Sequence, residues 1–341
     1  MEAILYLAHA EADESLPRAA LEALRGARSL AEGLGGASLT VGVIGEKAEP
    51  ALRRIAGCGS KRFLCVQGAE FGQARYATDA LAAEALCRAA GATIVVAPGT
   101  SRMARVLPGV AYRLGGRADT HVTGMSGALA VTRWFYRQRM ESTFQRTHRP
   151  WFILFDPGCL EAWEGEAGNP SIETLSVDLP DSSKRTKVTG FVAPAADEQT
   201  IRPDAKLLFV AGAGWTKKQP DGQAHVKDAE SLILEFLRKT KASLGGSKSL
   251  VDQSGEGQAI LHFMTHLNQI GQTGSTPRHP KGLATCCHGE EPHAVGWRFI
   301  NERRAVNLDP SCGWARGKAD VVYVGDAFQV LAKVNALLGG T

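Results

Sequence analysis

Several things that would settle the chemistry at once are missing from the sequence. Seven cysteines are scattered over 341 residues, at positions 58, 65, 87, 159, 286, 287 and 312. An odd, dispersed set without a single C-x-x-C pair argues against a secreted disulfide framework and against a zinc-ribbon pattern, leaving buried free thiols as the expectation. No apolar run approaches the roughly 18 residues that a spanning helix needs. The N-terminus lacks a basic n-region and a small-residue cleavage site, so a cytoplasmic protein is expected. P-loop, nucleophile-elbow, zincin and kinase signatures are all absent, and kinase and hydrolase chemistry go unsupported. An excess of one charge is missing too: 39 Lys and Arg against 35 Asp and Glu leave a formal +4. There is no long basic run, so nucleic acid is not the expected partner.

What is present is the composition of a packed soluble protein, 44% apolar and 22% charged, long enough for two domains. The first half alternates strand-like runs (AILYLAH, SLTVGVIG, KRFLCVQG, ATIVVAPGT) with Ala/Leu-rich helical stretches such as SLPRAALEALRGARSLAEGL and ATDALAAEALCRAAG. Strands apolar on both faces and separated by helices predict right-handed crossovers and a mainly parallel sheet. After Gly115, ALAVTRWFYRQRMESTFQ and RPWFILFDPG follow one another with no helix between them, which predicts antiparallel strands that finish or cover that sheet.

From about Ser182 to Asp204 the chain is polar and broken by Pro194 and Pro203, the composition of a connector. The expected organisation is therefore an α/β domain over 1–190, a linker over 191–204 and a second α/β domain over 205–341. The second half restarts the alternation with strand KLLFVAGAG, helix DAESLILEFLRKTKASLG, short strand SKSLVD, strands RAVNLD and DVVYVGD, and helix AFQVLAKVNALLGG. Loops that follow strand ends in a parallel sheet line the ligand crevice.

The stretch GQTGSTPRHPKGLATCCHGEEPH, Gly271 to His293, admits two readings. Cys286, Cys287, His288 and His293, with His279 upstream, are metal-ligand types, but adjacent cysteines point apart and the spacing is poor for a tetrahedral site. As a cofactor cleft, Gly271, Gly274 and Gly289 allow close backbone approach, and a helix over HGEEPHAVGWRFINERR would offer N–H groups to a phosphate. Glu290 and Glu291 at its start would oppose an anion. The same glycines also serve as plain turns. AGAGW has only Gly-x-Gly and is a weak signal, Lys248 is by type a solvated surface lysine, and Asn307 and Asp309 before Pro310 are ordinary turn formers.

The C-terminal runs GSKSLVD, IGQTG, HGEEPH, AVNLD and ADVVYVGD, in that order and spacing, resemble the alpha subunit of electron-transfer flavoproteins. The resemblance spans nearly the whole chain and is most specific over 205–341. It implies two Rossmann-like or flavodoxin-like parallel-sheet domains, the C-terminal one holding FAD and the N-terminal one packing on a beta subunit, for which AMP is a candidate ligand. It implies electron transfer from a flavin-dependent dehydrogenase, with methylated-amine oxidation a candidate reaction, to an iron–sulfur or quinone-linked acceptor. Carried over by position, Ser247, Lys248, Ile270, Gly271, Gln272, Thr273, His288, Gly289, His293, Asn307 and Asp320 would line the FAD cleft. Thr273 would bond the flavin edge at N5, His293 would lie near O2, and Asn307 and Asp320 would hold the adenosine half.

The departures from the family pattern define an alternative. Lys248 replaces an arginine and loses its planar fork. Gly214, beside Trp215, replaces the loop arginine, and His288, Glu290 and Glu291 bring a ring and two carboxylates to the pyrophosphate side. An unpaired carboxylate in contact with a pyrophosphate costs roughly 2 to 4 kcal/mol at an effective dielectric of about 20. On that ground the chain could be an FAD-deficient structural or docking subunit of a larger dehydrogenase complex.

Overall fold

The structure is a computed structural model and describes residues 2–126, 129–136, 140–190, 201–202, 205–252, 259–271, 275, 277–285, 300–311, 315–316 and 319–339. The chain divides into two compact units, 1–191 and 192–341.

The first unit is built on strands β1 (Ala3–His9), β2 (Ser38–Gly45), β3 (Arg62–Gln67), β4 (Ile94–Pro98), β5 (Arg117–Met125), β6 (Val131–Phe135), β7 (Met140–Phe144), β8 (Trp151–Phe155) and β9 (Ile172–Thr174). They form one sheet in the order β7-β6-β5-β8-β4-β1-β2-β3-β9. Only the β5–β6 and β6–β7 pairings are antiparallel. Helices α1 (Arg18–Gly33), α2 (Glu49–Arg54), α3 (Ala69–Gly72), α4 (Tyr76–Ala90) and α5 (Ser101–Arg113) connect the parallel strands.

Alternate side chains of β1 show why both faces are covered. Ile4, Tyr6 and Ala8 join α1's buried stripe of Ala20, Ala23, Leu24, Ala27 and Leu30, while Leu5 and Leu7 meet Leu86, Val106 and Leu107 of α4 and α5. A strand buried on both faces is apolar throughout, which is why the run AILYLAH reads as it does. Gly26 lets α1 approach the sheet, since a Cβ there would stand 2.9 Å from Leu160 and 3.0 Å from the Phe155 ring.

The course after Gly115 differs from the expectation of consecutive antiparallel strands. β8 is not an antiparallel neighbour of β7; it returns to the interior and pairs in parallel with both β4 and β5. Its five residues are all buried, and an interior strand is the natural place for WFILF.

The second unit holds β10 (Leu207–Ala211), β11 (Ser243–Gly246), β12 (Lys281–Thr285), β13 (Glu302–Asn307) and β14 (Val321–Val324), all parallel, in the order β11-β10-β12-β13-β14. Numbered from β10, this is the 2-1-3-4-5 order of a flavodoxin-like doubly wound sheet. Helix α6 (Val226–Thr240) and the C-terminal helix Ala327–Leu338 pack together on one face, with Ala229, Ile233, Phe236 and Leu331 in one core with Phe209 and Leu244.

Three boundaries differ from the sequence reading. α6 stops at Thr240, where Lys241 turns into a left-handed conformation at φ 55°, and Ser243–Gly246 becomes strand β11. Lys248–Asp252, expected as a strand, is a short helix, α7, because the Ser247 hydroxyl accepts the Leu250 N–H at 3.2 Å and starts a turn. The helix expected over 288–304 falls mostly outside the described residues, and its last part, Glu302–Arg304, is strand β13, held by pairing to β12.

Candidate flavin cleft in the second unit

All five strands of the second unit end at one edge, so the residues that follow them are neighbours whatever their distance in sequence. Ser247 follows β11 and is buried; its N–H donates to Ala211 O at the end of β10, 3.1 Å away. Gly245 and Gly246 leave room for the Ile270 and Met264 side chains, which a Cβ at these positions would meet at 2.8 and 2.3 Å. Ile270 donates its N–H to Gly246 O at 3.2 Å and is fully buried. Gly271 then takes φ 118°, a conformation that excludes a side chain, and its N–H meets Ser275 O at 2.9 Å. Gly271 and Ser275 are thus held together. Gln272 and Thr273 lie between them, outside the described residues, as do His288, Gly289 and His293.

Asn307 ends β13, is buried, and accepts the Asp309 N–H on its side-chain oxygen at 3.3 Å. Asp309 in turn accepts Ser311 N–H and Oγ–H at 2.8 and 2.6 Å, and these bonds hold its carboxyl below the usual range. It closes an Asx turn, as its position before Pro310 allowed. Lys248 is exposed, with Nζ 3.8 Å from Asp252.

Asp320 stands apart from the group. It precedes β14, at the amino edge of the sheet, whereas Ser247, Ile270 and Asn307 lie at the carboxyl edge. Its carboxylate takes Arg303 N–H at 2.7 Å and the Arg303 guanidinium at 2.8 Å, which together hold its carboxyl low. Of the two acids that flank β14, the one at the carboxyl edge is Asp326, six residues on. It follows β14 and caps the C-terminal helix by accepting the Gln329 N–H at 3.1 Å. With Gln219, Asn307, Leu308 and Phe328 it lines a narrow crevice between the ends of β13 and β14. The signal for it was in the sequence: a strand, an Asp and then an apolar helical run, VYVGDAFQV.

The turn after β10 is unlike an open phosphate loop. Ala213–Thr216 forms a 3-10 turn whose four residues are all buried. Trp215 donates Nε1–H to Thr285 Oγ1 at 2.8 Å, and its ring lies 4.6 Å from that of Phe328. Thr285 passes the bond on to Val210 O at 3.1 Å. One indole therefore ties together the ends of β10 and β12 and the C-terminal helix. Among the described residues no three His, Cys, Asp or Glu side chains gather as a metal site, and no helix is long and apolar enough to cross a membrane.

A model of the electron transfer flavoprotein domain matches residues 4–180, which is the first unit almost entire. The chain belongs to the electron-transfer flavoprotein family. Protein FixB of Clostridium saccharobutylicum is 25% identical over 330 residues, covering 94% of this chain and 92% of that protein, so the likeness extends through the second unit. The electron transfer flavoprotein subunit alpha of Thermoanaerobacterium thermosaccharolyticum is 24% identical over 230 residues, covering 66% of this chain and 64% of its own. This is a divergent alpha-type member of an electron-transfer family, and the carboxyl edge of its second sheet is where a flavoprotein's dinucleotide is to be sought.

Proposed function

We propose that this chain binds FAD along the carboxyl edge of the β10–β14 sheet and, paired with a beta-type subunit, carries electrons from a flavin-dependent dehydrogenase to an iron–sulfur or quinone-linked acceptor. The observation that carries this reading is the convergence of Ser247, the Ile270–Gly271 loop and Asn307 at one edge of a sheet with flavodoxin-like order. The donor set suits a dinucleotide. Ser247 and Asn307 are polar side chains buried where a ligand would lie, Gly271 permits backbone contact, and Asp326 is placed as a ribose acceptor.

Bound flavin supplies the redox chemistry. The chain's own part is to orient and to bias. With FAD bound, Gln272 and Thr273 would serve as contacts to the ring, Lys248 would supply a cation to offset the charge that reduction adds, and Asn307 with Asp326 would hold the nucleoside end. Thr273 and His293 remain the proposed contacts to the ring itself. Oxidation of methylated amines is the candidate upstream reaction.

A second reading, an FAD-deficient docking subunit, is favoured by one observation: the buried Trp215 turn offers no open phosphate loop after β10. The visible spectrum of the chain purified with its beta-type partner separates the two. A flavin spectrum with about one FAD per heterodimer, released by acid, is expected. A colourless complex that releases AMP or nothing and does not take up added FAD would overturn the carrier reading in favour of the second.

A further inference from the structure

The first unit holds an open cavity of about 330 Å³, within the roughly 300–1,000 Å³ of small-molecule pockets. The turn between β1 and α1, the start of α1, helix α2 and the stretch that begins at Trp163 wall it. Each segment is tied down. Glu11 N–H bonds Ser15 O at 2.9 Å, and Glu14, at φ 65°, has its carboxylate held by Lys47 Nζ at 2.7 Å. Trp163 N–H reaches Leu21 O at 3.1 Å, Gly57 N–H reaches Glu166 O at 3.1 Å and Gly168 N–H reaches Arg53 O at 2.8 Å. The cavity is a built feature of the fold, not a gap left by untied loops.

Leu16, Leu21, Ala51, Ile55 and Trp163 supply apolar walls, and the Ser15 hydroxyl is engaged by Asp13 at 2.6 Å. Arg54 and Glu164 line the same cavity and are exposed. Charges around them are paired: Arg53 with Glu49 at 3.7 Å, Lys47 with Glu14 at 2.7 Å and Arg25 with Glu161 at 3.2 Å. Among the described residues Arg54 and Glu164 form no ion pair, with each other or with any other side chain. The Arg54 charge reaches Asp13, whose carboxyl is held low chiefly by the bonds from Ser15. Trp163 is 7% exposed, and among the described residues its indole N–H has no acceptor. Gly165 lies against that indole, where a Cβ would stand 2.2 Å from Cζ2 and 2.8 Å from Cε2, so a glycine is needed to leave the ring in its seat. A cation, an anion and an unengaged N–H donor around an apolar hollow match a zwitterion with an apolar body. A fatty or aromatic acid would satisfy Arg54 but face Glu164 with a like charge, and an apolar amine would face Arg54 in the same way.

We propose that this cavity binds an apolar α-amino acid, with its carboxylate on Arg54 and the Trp163 N–H, its ammonium on Glu164 and its side chain among Leu16, Leu21 and Ile55. The site is separate from the flavin reading, and neither depends on the other. Calorimetric titration of the full chain with L-phenylalanine and with L-leucine should each give one saturable site. 3-Phenylpropionate, which lacks the ammonium, and 2-phenylethylamine, which lacks the carboxylate, should each bind about tenfold or more weakly than L-phenylalanine. Arg54→Gln and Glu164→Gln should each weaken L-phenylalanine about tenfold or more, Arg54→Lys should keep most of the affinity, and Glu164→Gln should remove the preference over 3-phenylpropionate. All three changes are at exposed positions, and an unchanged Tm confirms that each variant is folded. No saturable binding of either amino acid, or binding that Arg54→Gln and Glu164→Gln leave unaltered, overturns the proposal. 3-Phenylpropionate binding as tightly as L-phenylalanine also overturns it and assigns the cavity to a plain apolar carboxylate.

Discussion

The two units carry related doubly wound sheets whose carboxyl edges differ in the side chains they present. In the first, the strand order reverses between β1 and β4, the point at which such a sheet commonly binds a ligand. Here the crevice is filled from within. His9, at the end of β1, bonds Phe71 O at 2.7 Å. Arg102, on α5, makes two bonds of 2.7 Å to Asp79 and also reaches the carbonyls of Phe71 and Gln73. No room for a water remains among them. In the second unit the same edge presents Ser247, a glycine loop, Asn307 and Asp326. One architecture thus yields a plugged crevice and a candidate cleft, and the side chains at the strand ends make the difference.

The largest effects should come from breaking each edge in turn. Trp215→Ala removes a fully buried indole and its bond to Thr285, and should destabilise the second unit by about 3–5 kcal/mol. Chemical unfolding checks it, and flavin affinity should fall with stability because the ends of β10 and β12 and the C-terminal helix lose their common tie. Arg102→Ala leaves the buried Asp79 carboxylate unpaired and should cost about 3 kcal/mol. Flavin affinity should not change, since that plug belongs to the other unit. Flavin loss on Arg102→Ala would break the comparison.

A pH scan sharpens the plug further. Burial, with the Arg102 charge second, lowers His9 from 6.5 to about 4. The folded state therefore binds fewer protons than the unfolded one between these values, and stability falls as pH drops from about 6.5 to about 4, then levels. The loss reaches up to about 3 kcal/mol at 1.36 kcal/mol per unit. Urea unfolding between pH 7 and pH 4 measures it, and His9→Gln should flatten that part of the profile.

Much of the scaffold was legible in the residues. Runs apolar on both faces marked β1 to β4, and the alternation with helices marked a parallel sheet. β8 carries the same signature in WFILF, but with no helix before it the sequence predicts antiparallel pairing; the chain instead returns from the sheet's edge to the interior. β5, Arg117–Met125, has little apolar pattern and is a strand because β8 pairs with it. At the site, it was the family resemblance, not the residues read alone, that assigned Ser247, Ile270, Gly271 and Asn307 to one cleft. Asp320 could not be separated from Asp326 in that way: each flanks β14, and only the strand's direction decides which faces the cleft.

The identity of the second-unit carboxyl edge as the flavin cleft is tested most directly by equilibrium titration of the apoprotein with FAD, comparing Ser247→Ala, Asn307→Ala and Asp320→Asn with wild type. Loss of one ligand hydrogen bond corresponds to about tenfold in affinity. The first two variants should bind FAD about tenfold or more weakly, with Asp320→Asn unchanged. Unaltered binding by Ser247→Ala and Asn307→Ala, or selective loss on Asp320→Asn, would contradict the assignment.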